Sequence, residues 1–169
     1  MTLPPVLWLL GSDSDLPHIE AGLAQLKDLQ IPFEVRILSA HRTPEQVGEL
    51  ASHARERGVK VMIGVAGGAA HLAGVIASKT TLPVIGVPVP TDFAGGLDSL
   101  LSTVQMPGGI PVATVSANKA GGKNAALLAA RILAVADEAV AERLLAHRKQ
   151  MEAGVLAKDA AVSKRFADA

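Results

Sequence analysis

His41 offers the most chemistry of any residue in this chain, because an imidazole can give and take a proton near neutral pH, which few side chains do. It stands in Ser39-Ala40-His41-Arg42-Thr43-Pro44, directly after one apolar run and before an amphipathic one. Arg42 beside it is a candidate phosphate clamp, since its guanidinium offers paired, charge-assisted donors. A loop histidine is as readily structural or solvated as catalytic, so the case rests on where the fold puts it.

Three other segments have the same placement after an apolar run, one of them the loop Pro88 to Gly96. Gly11-Ser12-Asp13-Ser14-Asp15 combines a glycine turn with the Ser12 and Ser14 hydroxyls, and Asp15 can accept from ribose hydroxyls or cap a helix. A turn with a cap explains this segment as well as a phosphate site does. Ala66-Gly67-Gly68-Ala69-Ala70-His71 sets a second histidine behind a glycine turn. His71 is expected to border the His41 pocket as a supporting residue. His18 and His53 are expected at the surface, and His147 belongs to a polar tail.

Several chemistries lack their residues. The chain has no cysteine, which removes disulfides, thiolate catalysis and cysteine-bound zinc. No H-x-x-x-H or H-x-H spacing suggests a metal, and no G-x-x-x-x-G-K-[ST] loop suggests nucleotide hydrolysis. A phospho-receiver domain would need an acceptor aspartate after the third strand, where Ala66-Gly67 stands. Sixteen basic residues balance sixteen acidic ones without a basic run, so nucleic acid is not an expected partner. The apolar stretch Val61 to Ala77 is interrupted by Gly67-Gly68 and carries His71, so it reads as strand, turn and helix rather than a membrane span. The first ten residues lack the features of a signal peptide, and a cytoplasmic location is expected.

The elements that must position these residues alternate in β-α-β order, which predicts a parallel sheet in an α/β fold. Strands are expected at Val6 to Leu10, Phe33 to Leu38, Val59 to Val65, Val84 to Val87 and Val112 to Val115. Helices are expected from about Asp15, with Ile19, Leu23 and Leu26 on the apolar face; after Thr43; from about Ala69 to Lys79; through Asp98 to Leu101; and from Asn124 to about Ala136. Thr43, Pro44 and Gln46 spell a capping box with proline at the first helical position. In such a sheet, ligands bind beyond the carboxyl ends of the strands, where His41, Ser12 and Gly67 would all lie. The chain, 1–169, reads as one domain with a helical tail over about 138–169. Its mean hydropathy of +0.33, with three Phe and one Trp, predicts an aliphatic, Ala- and Gly-rich core with further burial between subunits, the alternative being an unusually aliphatic monomeric core.

Together these motifs resemble the class I N5-carboxyaminoimidazole ribonucleotide mutases of purine biosynthesis. The resemblance also takes in Leu82-Pro83-Val84-Ile85-Gly86-Val87-Pro88, Asp98-Ser99-Leu100-Leu101-Ser102-Thr103-Val104-Gln105-Met106-Pro107, Gly109 to Val115 and Asn124 to Ala129. It implies a three-layer, flavodoxin-like α/β/α fold, a homo-octamer, and a reaction without metal or other cofactor. That reaction moves a carboxyl group from the exocyclic nitrogen of the nucleotide to C4 of its imidazole. By resemblance His41 is the general acid/base, Ser12, Ser14, Asp15 and Arg42 bind the ribonucleotide, and Ser39, Gly67 and Gly68 line the pocket. The chain departs from the family pattern at Ala73, at Val65-Ala66 and over Pro90 to Gly96. Asp92-Phe93-Ala94-Gly95 resembles the class II carboxylases, which take aminoimidazole ribonucleotide and CO2 directly. That activity is the alternative, and a non-catalytic ligand-binding module is a second one.

Overall fold

The computed structural model describes residues 2–167. Within them five parallel strands form one sheet in the order β2-β1-β3-β4-β5, with β1 at Val6–Leu10, β2 at Phe33–Ile37, β3 at Val61–Gly67, β4 at Val84–Val89 and β5 at Ala113–Thr114. Helices α1 (Glu20–Asp28), α2 (Pro44–His53), α3 (Leu72–Lys79), α4 (Leu97–Val104) and α5 (Gly121–Ala134) alternate with the strands, and α6 (Glu138–Phe166) follows. This strand order is that of the flavodoxin-like fold, whose ligand crevice opens between β1 and β3.

Alternation along β1 explains the three layers. Val6, Trp8 and Leu10 face one side with Ile19, Leu26, Ala125 and Ala129 of the α1–α5 layer. Leu7 and Leu9 face the other with Val47, Ala51, Leu72 and Ile76 of α2 and α3. Successive side chains point to opposite faces, so a strand covered on both sides must be apolar throughout. All five β1 side chains are buried, each large one contributing about 1.5–3 kcal/mol.

Small residues set the layer spacing. A Cβ on Gly22 would lie 2.3 Å from Gly122 O, and one on Gly122 would lie 2.3 Å from His18 O. Helices α1 and α5 therefore touch through their backbones, which requires glycine at both positions. The same need corrects the expected start of α5. The helix begins at Gly121 rather than Asn124 because packing overrides the poor helix propensity of glycine. Asn118 caps the approach through its side-chain oxygen, 2.8 Å from the Ala120 N–H.

Other boundaries move for local reasons. Asp13–His18 is a 3-10 turn containing Pro17, and α1 starts only at Glu20; a proline beyond the first turn cannot supply the N–H an α-helix needs. Strand β3 runs two residues later than expected, because the Val59 N–H closes the turn after α2 on Ala54 O at 3.0 Å, while Ala66 and Gly67 pair with Pro88 and Val89. Strand β4 continues through Pro88. Its register with β5 covers Ile85 and Gly86 only, so the missing proline N–H faces no strand.

The Thr43 capping box does not form, although Pro44 does begin α2. The Thr43 hydroxyl is engaged with Ser39 instead, accepting from its N–H at 2.9 Å and donating to its carbonyl at 3.1 Å. A reciprocal cap appears at the first turn: Ser12 Oγ accepts from the Ser14 N–H at 3.3 Å, and Asp15 Oδ2 accepts from the Ser12 N–H at 3.1 Å. Helix α3 starts at Leu72, not Ala69, because Gly68 and Ala70 have φ values of 65° and 31° and cannot be helical.

Candidate functional site

The turns after β1, β2, β3 and β4 converge on one cleft of about 630 Å³ at the carboxyl edge of the sheet. Its wall includes Gly11, Ser12, Ser14 and Asp15 from the first turn, Ser39 to Arg42 from the second, Gly67 and His71 from the third, and Pro90 and Thr91 from the fourth. Every site residue expected from sequence reaches this wall except Gly68. That residue lies behind it, its N–H 2.8 Å from Ser99 Oγ.

Each turn is built to present particular groups. Asp15 is 7% exposed, and burial raises its carboxyl pKa above the ordinary value, against the opposing pull of the Ser12 N–H and the His18 side chain. A carboxylate kept in so dry a position suits a ligand that brings its own hydroxyl donors. In the second turn Ser39 Oγ accepts from the backbone N–H groups of His41 and Arg42 at 3.3 and 3.2 Å. Ser39 thus holds the loop that carries both. Arg42 reaches back to the first turn, Nη2 donating to Gly11 O at 2.9 Å. One of its five donors is spent on that tether, leaving the others for an anion.

The two histidines meet at the centre. His41 Nε2 and His71 Nδ1 lie 2.7 Å apart, with the rings edge to face at 75°. One nitrogen must donate and the other accept, so a single proton serves both at this contact. His71 therefore stands on the cleft wall in direct contact with His41.

His18 is the residue that sequence reasoning missed, for it is half-buried on the cleft wall rather than free at the surface. The available signal was its spacing, three residues after Asp15 in a proline-containing turn, since 3-10 geometry eclipses positions i and i+3. Thr91 lies in the Pro88 to Gly96 loop expected at the ligand edge, though no role was expected of it individually; its hydroxyl donates to Asp98 Oδ1 at 2.7 Å and lowers that carboxyl's pKa. His53 is exposed as expected, while His147 is half-buried between α5 and α6. Among the described residues no three His, Asp or Glu side chains converge as a metal-binding group.

The family model described as AIR carboxylase matches residues 5–154. That span includes all four turns of the cleft. The chain belongs to the AIR carboxylase family. A curated relative from Bacillus subtilis, an N5-carboxyaminoimidazole ribonucleotide mutase, is 53% identical over 90% of this chain and 94% of its own. A mutase of the same name from Thermotoga maritima is 51% identical over 92% of this chain and 90% of its own. Among solved structures, Treponema denticola PurE aligns at a TM-score of 0.83 and 32% identity, covering 92% of this family member and 96% of that chain.

Proposed function

We propose that this enzyme interconverts N5-carboxyaminoimidazole ribonucleotide and 4-carboxy-5-aminoimidazole ribonucleotide, with His41 as general acid/base. The observation that carries the reading is the 2.7 Å contact between His41 and His71 inside the cleft, beside the uncommitted donors of Arg42. Relatives at half identity over nearly the whole chain bear the mutase name.

The reaction needs one mobile proton. A protonated His41 gives it to the exocyclic nitrogen, the N–C bond of the carbamate breaks, and the carboxyl group leaves as CO2. The cleft holds that CO2 beside C4, so recapture outruns escape. A C4–C bond then forms, and the C4 proton returns to His41 as the ring regains aromaticity. Because the His41–His71 contact holds one proton between two rings, His71 can steady the charge through both half-reactions. Ser12, Ser14 and Arg42 would hold the phosphate, Asp15 the ribose hydroxyls, and Gly67 would let the base approach the backbone.

The alternative carboxylase activity rested on Asp92-Phe93-Ala94-Gly95, and none of those four residues lines this chain's cleft. The test offers the pure protein each nucleotide separately at low bicarbonate. The carbamate should yield the C4-carboxylated product, and aminoimidazole ribonucleotide should yield almost none. The reverse order would assign the chain to the carboxylases, and turnover of neither would leave a binding module.

We also infer that the chain is a single functional unit that assembles as a homo-octamer and works in the cytoplasm, where phosphorylated nucleotides are retained. Leu145, Val155, Leu156, Val162 and Phe166 of α6 are each more than half exposed, which supports subunit contacts along the tail. A monomer by light scattering at micromolar concentration would overturn the assembly.

A further inference from the structure

The Gly67–His71 turn closes on itself through a single backbone hydrogen bond, Ala70 N–H to Gly67 O at 3.2 Å, and its backbone is strained. Gly68 and Ala70 both have positive φ, 65° and 31°, and for alanine that conformation is strained. His71, at the start of α3, provides no side-chain cap. Such backbone persists only where its surroundings over-determine it, and the further fixing groups come from some thirty residues away.

Helix α4 supplies them. Ser99 Oγ accepts from the Gly68 N–H at 2.8 Å, and the Ser102 hydroxyl donates to the Gly68 carbonyl at 3.3 Å. One residue thus has both its backbone groups held by side chains of one helix. Positions i and i+3 share a helix face, which lets both serines reach the same residue. Ser99 is fully buried, and its own carbonyl accepts from Thr103 Oγ1 at 2.8 Å. Serines compete with the helix backbone for hydrogen bonds, so the pair at 99 and 102 on one face is explained by this external duty, while Thr103 bonds back within the helix. The neighbouring Asp98 accepts from Thr91 and anchors the fourth turn to the same helix.

We propose that Ser99 and Ser102 are positioning residues that hold the Gly67–His71 turn and thereby keep His71 against His41. Neither serine is on the cleft wall, so each acts through the turn. The catalytic consequence rests on the mutase reading, while the structural one does not.

The test compares wild type with Ser102→Ala, Ser99→Ala/Ser102→Ala and the conservative Ser102→Thr, using nitrogen-15 histidine ring signals and steady-state rates. Wild type should show the coupled signature of the His41–His71 hydrogen bond, assigned by its absence in His71→Asn. In the folded double variant that signature should vanish and kcat should fall about 10²-fold, as displacement by an ångström can cause. KM should stay within about threefold, because uniform binding by the first and second turns is untouched. Ser102→Thr should restore both readouts. Unchanged ring signals and kcat in the folded double variant overturn the proposal. Should the double variant not fold, Ser102→Ala at its half-buried position decides, with partial loss of the signature expected and an unaltered signature overturning it. If wild type turned over neither nucleotide, the mutase reading would fall and the ring signals alone would judge the serines: loss in the variants upholds them, persistence overturns them.

Discussion

The turn after β1 and the turn after β3 both line the cleft, but they are held in different ways. Ser12 and Asp15 cap each other within four residues, so the first turn carries its own fixings. The turn bearing His71 is held through Gly68 by Ser99 and Ser102 on α4. The first turn answers to its local sequence and to what presses on it from behind, namely Gly122 against His18. The third answers to a helix remote in sequence. The proposed ribonucleotide-binding groups of the first turn therefore sit on the self-held side and a histidine of the central pair on the remotely held side, which allows the two properties to be perturbed separately.

The largest effect should come at the meeting point of the pair. His41→Asn should lower turnover by about 10²- to 10⁴-fold, the usual weight of a general acid/base, while nucleotide affinity by calorimetry stays close to that of wild type. Near-normal turnover in a folded variant would leave orientation or packing as the role of His41.

Gly122→Ala strikes only the first turn. Its Cβ would lie 2.3 Å from His18 O, so α1 and α5 must separate, at a cost of about 1–3 kcal/mol in chemical denaturation. The displaced Ser12–His18 segment should raise KM more than it lowers kcat. A variant as stable as wild type would mean that the glycine contact does not set the helix spacing.

Ser12→Ala removes half of the reciprocal cap and should cost about 1 kcal/mol, with weaker nucleotide binding and unchanged histidine ring signals. Altered ring signals would show that the two turns are coupled, against the division drawn between them.

Asp15→Asn should give the smallest and most pH-dependent change. Burial raises the Asp15 pKa in the folded chain, so between its ordinary value near 3.8 and the raised value the folded state binds more protons than the unfolded one. Stability from this group is then full below 3.8 and declines as pH rises through the raised pKa. Asparagine keeps an acceptor for the Ser12 N–H without the charge. The variant should thus be the more stable at neutral pH, with its advantage shrinking as pH falls through that window, and it should bind nucleotide less well. An advantage that grew toward acid pH would contradict the assigned cause.

What was legible in the sequence follows the same divide. The β-α-β alternation, the Pro44 helix start and the clustering of Ser12, Asp15, His41 and Arg42 depend on local pattern and on a general rule about strand ends. They emerge from short windows. The Thr43 cap does not form because its hydroxyl is claimed by Ser39 four residues back, a competition that composition does not rank. The early start of α5 depends on Gly22, a hundred positions away. Ser99 and Ser102 were visible only as part of a family-like run, since no spacing rule links them to Gly68. His18 was obscured by a turn whose proline converts an α-helical reading into a 3-10 one.

In the proposed reaction the cleft carries a carboxyl group from nitrogen to C4 without giving it up to solvent. Carbamate nucleotide labelled with carbon-13 in its carboxyl group, turned over once in unlabelled bicarbonate, tests this directly by mass spectrometry of the product. Retention of most of the label at C4 is the predicted result. Product carrying mainly unlabelled carboxyl would mean that CO2 is drawn from solution and would contradict the account.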